Sequence, residues 1–302
     1  MASKLVYNQF KEPDKLNKEL TLRRTEKIFL AVVCLAFGLI SCTLAFGQGI
    51  AIYGDSQNNP DVQQKLVERI AAFKPEIIFR VGDLVDDGND PSQWKAFRKI
   101  HGELLAGARY FPALGNHEND SPLYFEQFPF LHNQRWYAVE YQGVHFVILD
   151  SNSKLIPGSV QYKWLKADLA RLDPTVQFVI VIFHHPLFDV SAHHQSDERK
   201  LKNALLPLFK HYGVSAVFSG HSHDYQRFEY EGMYFIVTGG GGSNLYPQAR
   251  TNPYLQKFSL TYHFCLLSLE SGFLRVKVFD VNSALIDEFK ISARESSSNS
   301  RF

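Results

Sequence analysis

The chain of 302 residues holds only three cysteines, and two of them, Cys34 and Cys42, fall in a single apolar segment. Cys265 is left alone in the body, which excludes an intramolecular disulfide there even in an oxidising compartment. Charge of one sign is also lacking. Lys and Arg number 32 against 31 Asp and Glu; residues 1–47 hold seven and four of these, which leaves 25 against 27 beyond. So weak a field argues against nucleic acid as a partner. No internal repeat and, after residue 47, no long hydrophobic run occurs. Membrane contact is thereby confined to the N-terminal segment.

That segment, "IFLAVVCLAFGLISCTLAFG" from Ile28 to Gly47, carries no charge and follows Arg23, Arg24 and Lys27. It fits an export signal or a spanning helix. "GIAIYGD" follows almost at once and reads as a first strand, so an uncut helix would have scarcely any linker, which favours cleavage. "AFG" before Gln48 suits a signal peptidase, and "LISC" ending at Cys42 resembles a bacterial lipoprotein box. The expected product is exported, to the periplasm or cell envelope; a lipid anchor at Cys42 and an uncleaved N-terminal helix are the alternatives.

The organisation expected is a leader over 1–47, one domain over 48–292 and a tail over 293–302. From Ile50, strand-length apolar runs alternate with amphipathic stretches: "IAIYG", 61–73, "EIIFRVG", 92–105, "RYFPALG". This is a βαβ rhythm. Further strands ("WYAVEY", "VHFVILD", "QFVIVIF", "VSAVFSG") and helices near 160–172 and 198–212 follow. From "FEYEGMYFIVTGG" onward, short turns join successive strands in an antiparallel finish. One α/β domain with two facing sheets absorbs both halves.

Five polar stretches each follow an apolar strand: "GDSQ" at 54–57, "GDLVDDG" at 82–88, "GNHE" at 115–118, "HHP" at 184–186 and "GHSH" at 220–223. The C-terminal ends of strands line the ligand crevice in open α/β sheets, so the five are expected to converge. They bring Asp55, Gln57, Asp83, Asn116, His184, His221 and His223, an oxygen-and-imidazole set without thiolate. Such a set suits Mn, Fe or Zn rather than a Cys-type structural zinc. Seven ligands exceed one tetrahedral ion, and two ions sharing a carboxylate would use them all. If the chain stays extended past Phe218, His221 and His223 lie on one side. Taken singly, Asp55, Asp83 and Asn116 would read as turn formers; the joint pattern overrides that.

In this order the motifs resemble the D-x-H, GDxxD, GNH[D/E], H and GHxH series of the calcineurin-like metallophosphoesterases. The resemblance runs from about Ile50 to Gly242, and from "HHPLFDVSAHHQSD" to "GHSHDYQRF" it is closest to the purple-acid-phosphatase-like branch. It implies a four-layer αββα sandwich of two mixed sheets flanked by helices. It also implies two divalent or mixed-valence ions (Mn, Fe or Zn), with Asp83 bridging, Asp55 and His223 on one, and Asn116, His184 and His221 on the other. Gln57 stands where the commonest first motif has His; it ligates through its side-chain oxygen, or it points at the phosphate while water fills the position. Asp86 stands where purple acid phosphatases place the tyrosine that gives their colour, so no such colour is expected.

The activity implied is hydrolysis of phosphate esters by in-line attack of a metal-bridging hydroxide. His117 is the candidate general acid, with Asp86 orienting its ring. His185, His193 and His194, on or beside a loop after the His184 strand, are candidates for substrate binding together with Asn116; Tyr225, Arg227, Asn244 and Tyr246 are weaker ones. The partner expected is a small-molecule or nucleotide phosphate ester, monoesters being favoured. A phosphodiesterase or nucleotide pyrophosphatase, and a non-catalytic envelope binding protein on the same scaffold, are the alternatives.

Overall fold

A computed structural model describes residues 49–118, 120–193 and 198–294. The leader, with Cys42, and His194 lie outside the described residues. So do residues 295–302 of the expected tail.

The first sheet has the order β13-β12-β11-β1-β2-β3. Its strands β1 (Ile50–Tyr53), β2 (Ile77–Arg80) and β3 (Arg109–Pro112) run parallel, and β11 (His263–Glu270), β12 (Phe273–Asp280) and β13 (Leu285–Ser292) close it antiparallel. The second has the order β10-β8-β9-β7-β6-β5-β4. Here β5 (Val144–Ile148), β6 (Phe178–Ile182), β7 (Ala216–Ser219) and β9 (Met233–Thr238) are parallel. Antiparallel β4 (Tyr137–Tyr141) lies at one edge, and β8 (Tyr225–Tyr230) followed by β10 (Leu255–Ser259) at the other. The two mixed sheets of the expected fold are therefore present, and each parallel set points its C-terminal ends at the motif loops.

Sequence punctuation explains the helices. The α1 helix (Pro60–Ala72) starts on Asn59 and α2 (Pro91–Gly107) on Asp90, each a side-chain cap followed by proline in the first turn. Cap oxygens satisfy amides that have no intrahelical partner, and proline has no amide to satisfy there. The same Ser-Pro signal at Ser121 starts a short α3 (Pro122–Gln127), which hydrophobic periodicity alone does not reveal because six residues hold under two turns. Further on, α4 (Val160–Leu169) starts on Ser159, and α5 spans Glu198–Tyr212.

One apolar cluster joins the faces of the two sheets and takes in Leu66 and Ile70 of α1 with Trp94 and Phe97 of α2. A second lies on the opposite face of the second sheet, under Leu165 and Leu169 of α4 and Leu205 and Phe209 of α5. The layers thus run helix, sheet, sheet, helix. Among the described residues, no helix is long and apolar enough to cross a membrane. Cys265 is buried in the core, as expected for an unpaired thiol.

Phe79 of β2 stacks on Phe146 of β5 at 4.3 Å between ring centroids, across the sheet-to-sheet interface. Phe79→Ala is expected to lower unfolding free energy by about 3–5 kcal/mol in urea titration, the usual cost of emptying a fully buried aromatic site.

Candidate metal centre

Three of the five motif loops leave their strands abruptly. Asp55, Gln57, Asp83 and His221 all take positive φ, at 57°, 37°, 50° and 68°. Left-handed backbone is unfavourable for residues with a Cβ, and a cluster of such residues marks a place where geometry outweighs local comfort. The premise that the chain stays extended to His223 fails: β7 ends at Ser219 and the backbone turns at His221. Both histidines still reach one site, because the turn redirects them.

Glycine permits the approach. A Cβ on Gly220 would sit 2.2 Å from Asp55 Oδ2, and one on Gly241 would sit 2.0 Å from the Gly54 carbonyl oxygen. The "TGGGG" stretch is therefore a close backbone contact against the β1 loop rather than a phosphate cradle.

The ligand atoms fall into two groups that share a carboxylate: Asp83, His184 and His221, and Asp55, Asp83 and His223. Within each, one atom from every residue lies within 4.8 Å of the others. In the first group, His184 Nε2 is 3.2 Å from Asp83 Oδ2, 3.1 Å from His221 Nδ1 and 2.9 Å from Asn116 Oδ1. In the second, His223 Nε2 is 3.7 Å from Asp55 Oδ1.

Main-chain carbonyls select which imidazole nitrogen faces inward. His184 Nδ1 donates to Val81 O at 2.9 Å and His223 Nδ1 to Asn244 O at 2.9 Å, so Nε2 of each points into the site with its lone pair available. Asp55 Oδ2 is buried and accepts no hydrogen bond among the described residues. A buried carboxylate oxygen without a donor is costly unless a cation compensates its charge. The donor set, its burial and the orphaned oxygen all fit a pair of hard or borderline cations.

Electrostatics agrees. Burial disfavours charge on both Asp83 and His184, yet their mutual attraction outweighs it, holding Asp83 down at about 2 and pushing His184 up to about 9. Asp55 is pushed well above the usual carboxylate range by burial, against the attraction of His184. The site attracts positive charge, as a proton or as metal.

Gln57 lies at the site but in an unexpected sense. Its Nε2 donates to Asp83 Oδ2 at 2.9 Å, while its oxygen accepts from Ser243 Oγ. So placed, it offers the site a donor rather than a ligand oxygen; a half-turn of the amide would exchange the two.

His117 also differs from expectation. Its Nδ1 donates to the main-chain oxygen of Asp86 at 2.7 Å, whereas the Asp86 carboxylate is 3.6 Å away. The backbone, not the side chain, makes the short contact that orients the ring. His117 Nε2 then faces Asp83 Oδ2 at 3.9 Å. The His185 ring lies 4.4 Å from that of His221, and the His193 ring lies tilted at 4.2 Å from that of Tyr246, which in turn stacks on His223. Tyr225 and Arg227 are instead engaged with Asp287, away from the ligands.

Two contributors were not singled out from sequence. Arg80, fully buried, donates to Tyr53 O, Tyr110 Oη and Ser56 Oγ and so braces the β1 loop from below. Glu118, also fully buried, accepts from the Asp83, Leu84 and Gly115 amides at 3.0, 2.8 and 2.6 Å. It ties the loop of the bridging carboxylate to the loop of Asn116 and His117. Burial, and next the Asp83 charge, pushes its carboxyl up to about 7 against the pull of those amides. The fourth letter of "GNHE" carried the signal, since a glutamate just after a glycine-led turn can fold back onto its amides. Glu118→Gln sets an NH2 group against donors; expected are a loss of about 2–3 kcal/mol in urea unfolding and metal affinity weaker by about tenfold or more in calorimetric titration.

The calcineurin-like phosphoesterase model matches residues 49–225. Purple acid phosphatase 22 of Arabidopsis thaliana is 29% identical over 170 residues, which cover 51% of this chain and 39% of that protein. Among solved structures, purple acid phosphatase PPD1 from yellow lupin (Lupinus luteus) seeds superposes with a TM-score of 0.69 at 20% identity, over 81% of this chain and 53% of that one. GAP50, the anchor in the inner membrane complex of Plasmodium, gives a TM-score of 0.69 at 19% identity, over 83% of this chain and 90% of that one. At such identities the two structures attest the fold. The chain spans about half or less of the curated relatives it matches first, 39% and 51% of their lengths. A matched core that holds every motif loop from Asp55 to His223 settles the kinship: the chain belongs to the calcineurin-like phosphoesterase family.

Proposed function

We propose that this protein is a dinuclear-metal phosphoesterase acting on phosphate monoesters. The observation that carries the reading is the pair of ligand clusters joined at Asp83. Asp55, Asp83 and His223 would hold one ion, and Asp83, Asn116, His184 and His221 the other. Bound there, two divalent ions would supply neutralisation of the phosphate oxygens and an acidified water as nucleophile.

The chain's own groups do the rest. Asn116, His185 and His193 stand at the rim, where they would orient the phosphate for in-line displacement. With Nδ1 donated to the Asp86 carbonyl, His117 turns Nε2 toward the site, and in its imidazolium form that nitrogen would deliver a proton to the departing alkoxide. As placed, Gln57 steadies Asp83 and, through Ser243, the glycine-rich loop beside it. Export through the 28–47 segment belongs to the same proposal and rests on the basic flank and apolar run of the sequence.

A non-catalytic role is the second reading. It is favoured by the Gln57 amide, which as placed presents N–H where the commonest family motif has a ligating imidazole.

The test strips residues 48–302 with chelator, restores Mn, Fe or Zn singly, and follows p-nitrophenyl phosphate and bis-p-nitrophenyl phosphate. Metal-dependent turnover with the monoester faster is expected, and His117→Ala is expected to lower kcat by about 10²–10⁴-fold while metal content is unchanged. Two bound equivalents without turnover would support the non-catalytic reading. A faster diester would replace the monoester assignment.

A further inference from the structure

Beside the metal centre, on the side of His185, lies a cavity of about 370 Å³ bounded by the 151–156 loop and the first turn of α5. It opens onto the site through His185, whose ring is 4.4 Å from that of His221 and 5.1 Å from that of His184. Lys154 and Lys200 stand in its wall, with Asn152, Ser151 and Ser153, and among the described residues no carboxylate lines it. Neither lysine is in an ion pair among the described residues. Two ammonium groups around a cavity with hydroxyl and amide donors favour an anion.

The loop is held before any ligand arrives. Asp150, buried at the end of β5, accepts from Arg135 Nε at 2.7 Å and from the Asn152 amide at 3.0 Å. Gln161 of α4 brackets it, accepting from the Asp150 amide at 2.8 Å and donating to its carbonyl at 2.9 Å. Asn152 Nδ2 donates to Gly115 O at 3.1 Å, fastening the cavity wall to the loop of Asn116 and His117. Ser151 Oγ takes the His185 amide at 3.0 Å and lies 2.8 Å from Nδ1 of its ring. The cavity and the ligand cluster therefore keep a fixed spacing, as a two-point binding site requires.

We propose that this cavity is a specificity subsite for a second anionic group on the leaving-group side of the substrate, held by Lys154 and Lys200. The inference rests on the phosphoesterase reading of the adjoining metal centre. It narrows the substrates to phosphate esters whose alcohol portion carries a carboxylate or another phosphate a few bonds from the scissile ester. A ligand that spans both points gains affinity from the lysines only if its second charge reaches the cavity, so chain length matters as well as charge.

The test compares 3-phosphonopropionate with propylphosphonate by calorimetry on the metal-loaded protein, in the wild type and in the Lys154→Met/Lys200→Met variant. The wild type is expected to bind the carboxylated phosphonate about tenfold more tightly, a modest factor because both lysines are exposed. The variant should lose that preference and bind propylphosphonate within about twofold of wild type. In parallel, kcat/KM for phosphoglycolate relative to ethyl phosphate should fall by the same factor, with p-nitrophenyl phosphate turnover unchanged. Equal binding of the two phosphonates by the wild type, or a preference that survives in the variant, overturns the subsite. If the wild type turns over none of the three esters, the phosphoesterase reading fails, and the calorimetric comparison still decides whether the cavity recognises an anion.

Discussion

The Asp83 carboxylate, 1% exposed, cannot carry charge there without positive partners, and the architecture around it is organised to supply them. Its Oδ1 accepts from the His117 amide and its Oδ2 from Gln57, with His184 Nε2 at 3.2 Å. Its own amide is taken by Glu118, and its carbonyl by the Ser56 amide. Four loops from two sheets, its own among them, are thereby referred to one residue. Removing it would leave the imidazoles of His184 and His221 and the carboxylate of Asp55 without a common partner.

The surrounding concentration of buried acid explains the rest of the design. Asp55, Asp83 and Glu118 lie within a few residues of one another in space, and behind His221 a second buried set, Asp189 with Ser191, Ser222 and Gln226, fixes the "GHSH" turn. Arg80 brings a permanent positive charge beneath, its guanidinium 4.0 Å from the Tyr53 ring. Hydrogen bonds to backbone amides and carbonyls handle orientation, so net attraction for cations is concentrated at the one place where lone pairs converge.

The fold was legible because its elements carry local punctuation: caps at Asn59, Asp90 and Ser159, strand-length runs of Ile, Val and Phe, and glycine after four of the five motif strands. The convergence of the motif residues was legible for the same reason, since a polar residue directly after a buried strand has few places to point. What escaped reading depends on long-range packing. Glu118 and Arg80 look like ordinary charged residues until the loops they serve are brought together from 35 and 24 residues away. Asp86 was expected to act through its side chain when its carbonyl makes the close contact, and Gln57, read either as an oxygen ligand or as pointing at the phosphate, turns its nitrogen to Asp83; residue type does not reveal which atom a loop presents. The His223 premise failed at a single dihedral, φ of His221 at 68°.

The central claim is that Asp83 joins two cation sites. Anomalous X-ray scattering from crystals of residues 48–302 equilibrated with Mn addresses it without recourse to activity. Two peaks about 3.5–4 Å apart, one on each side of the Asp83 carboxylate, are the predicted result, with one against Asp55 and His223 and the other against His184 and His221. A single peak away from Asp83, or none at saturating metal, would contradict the account.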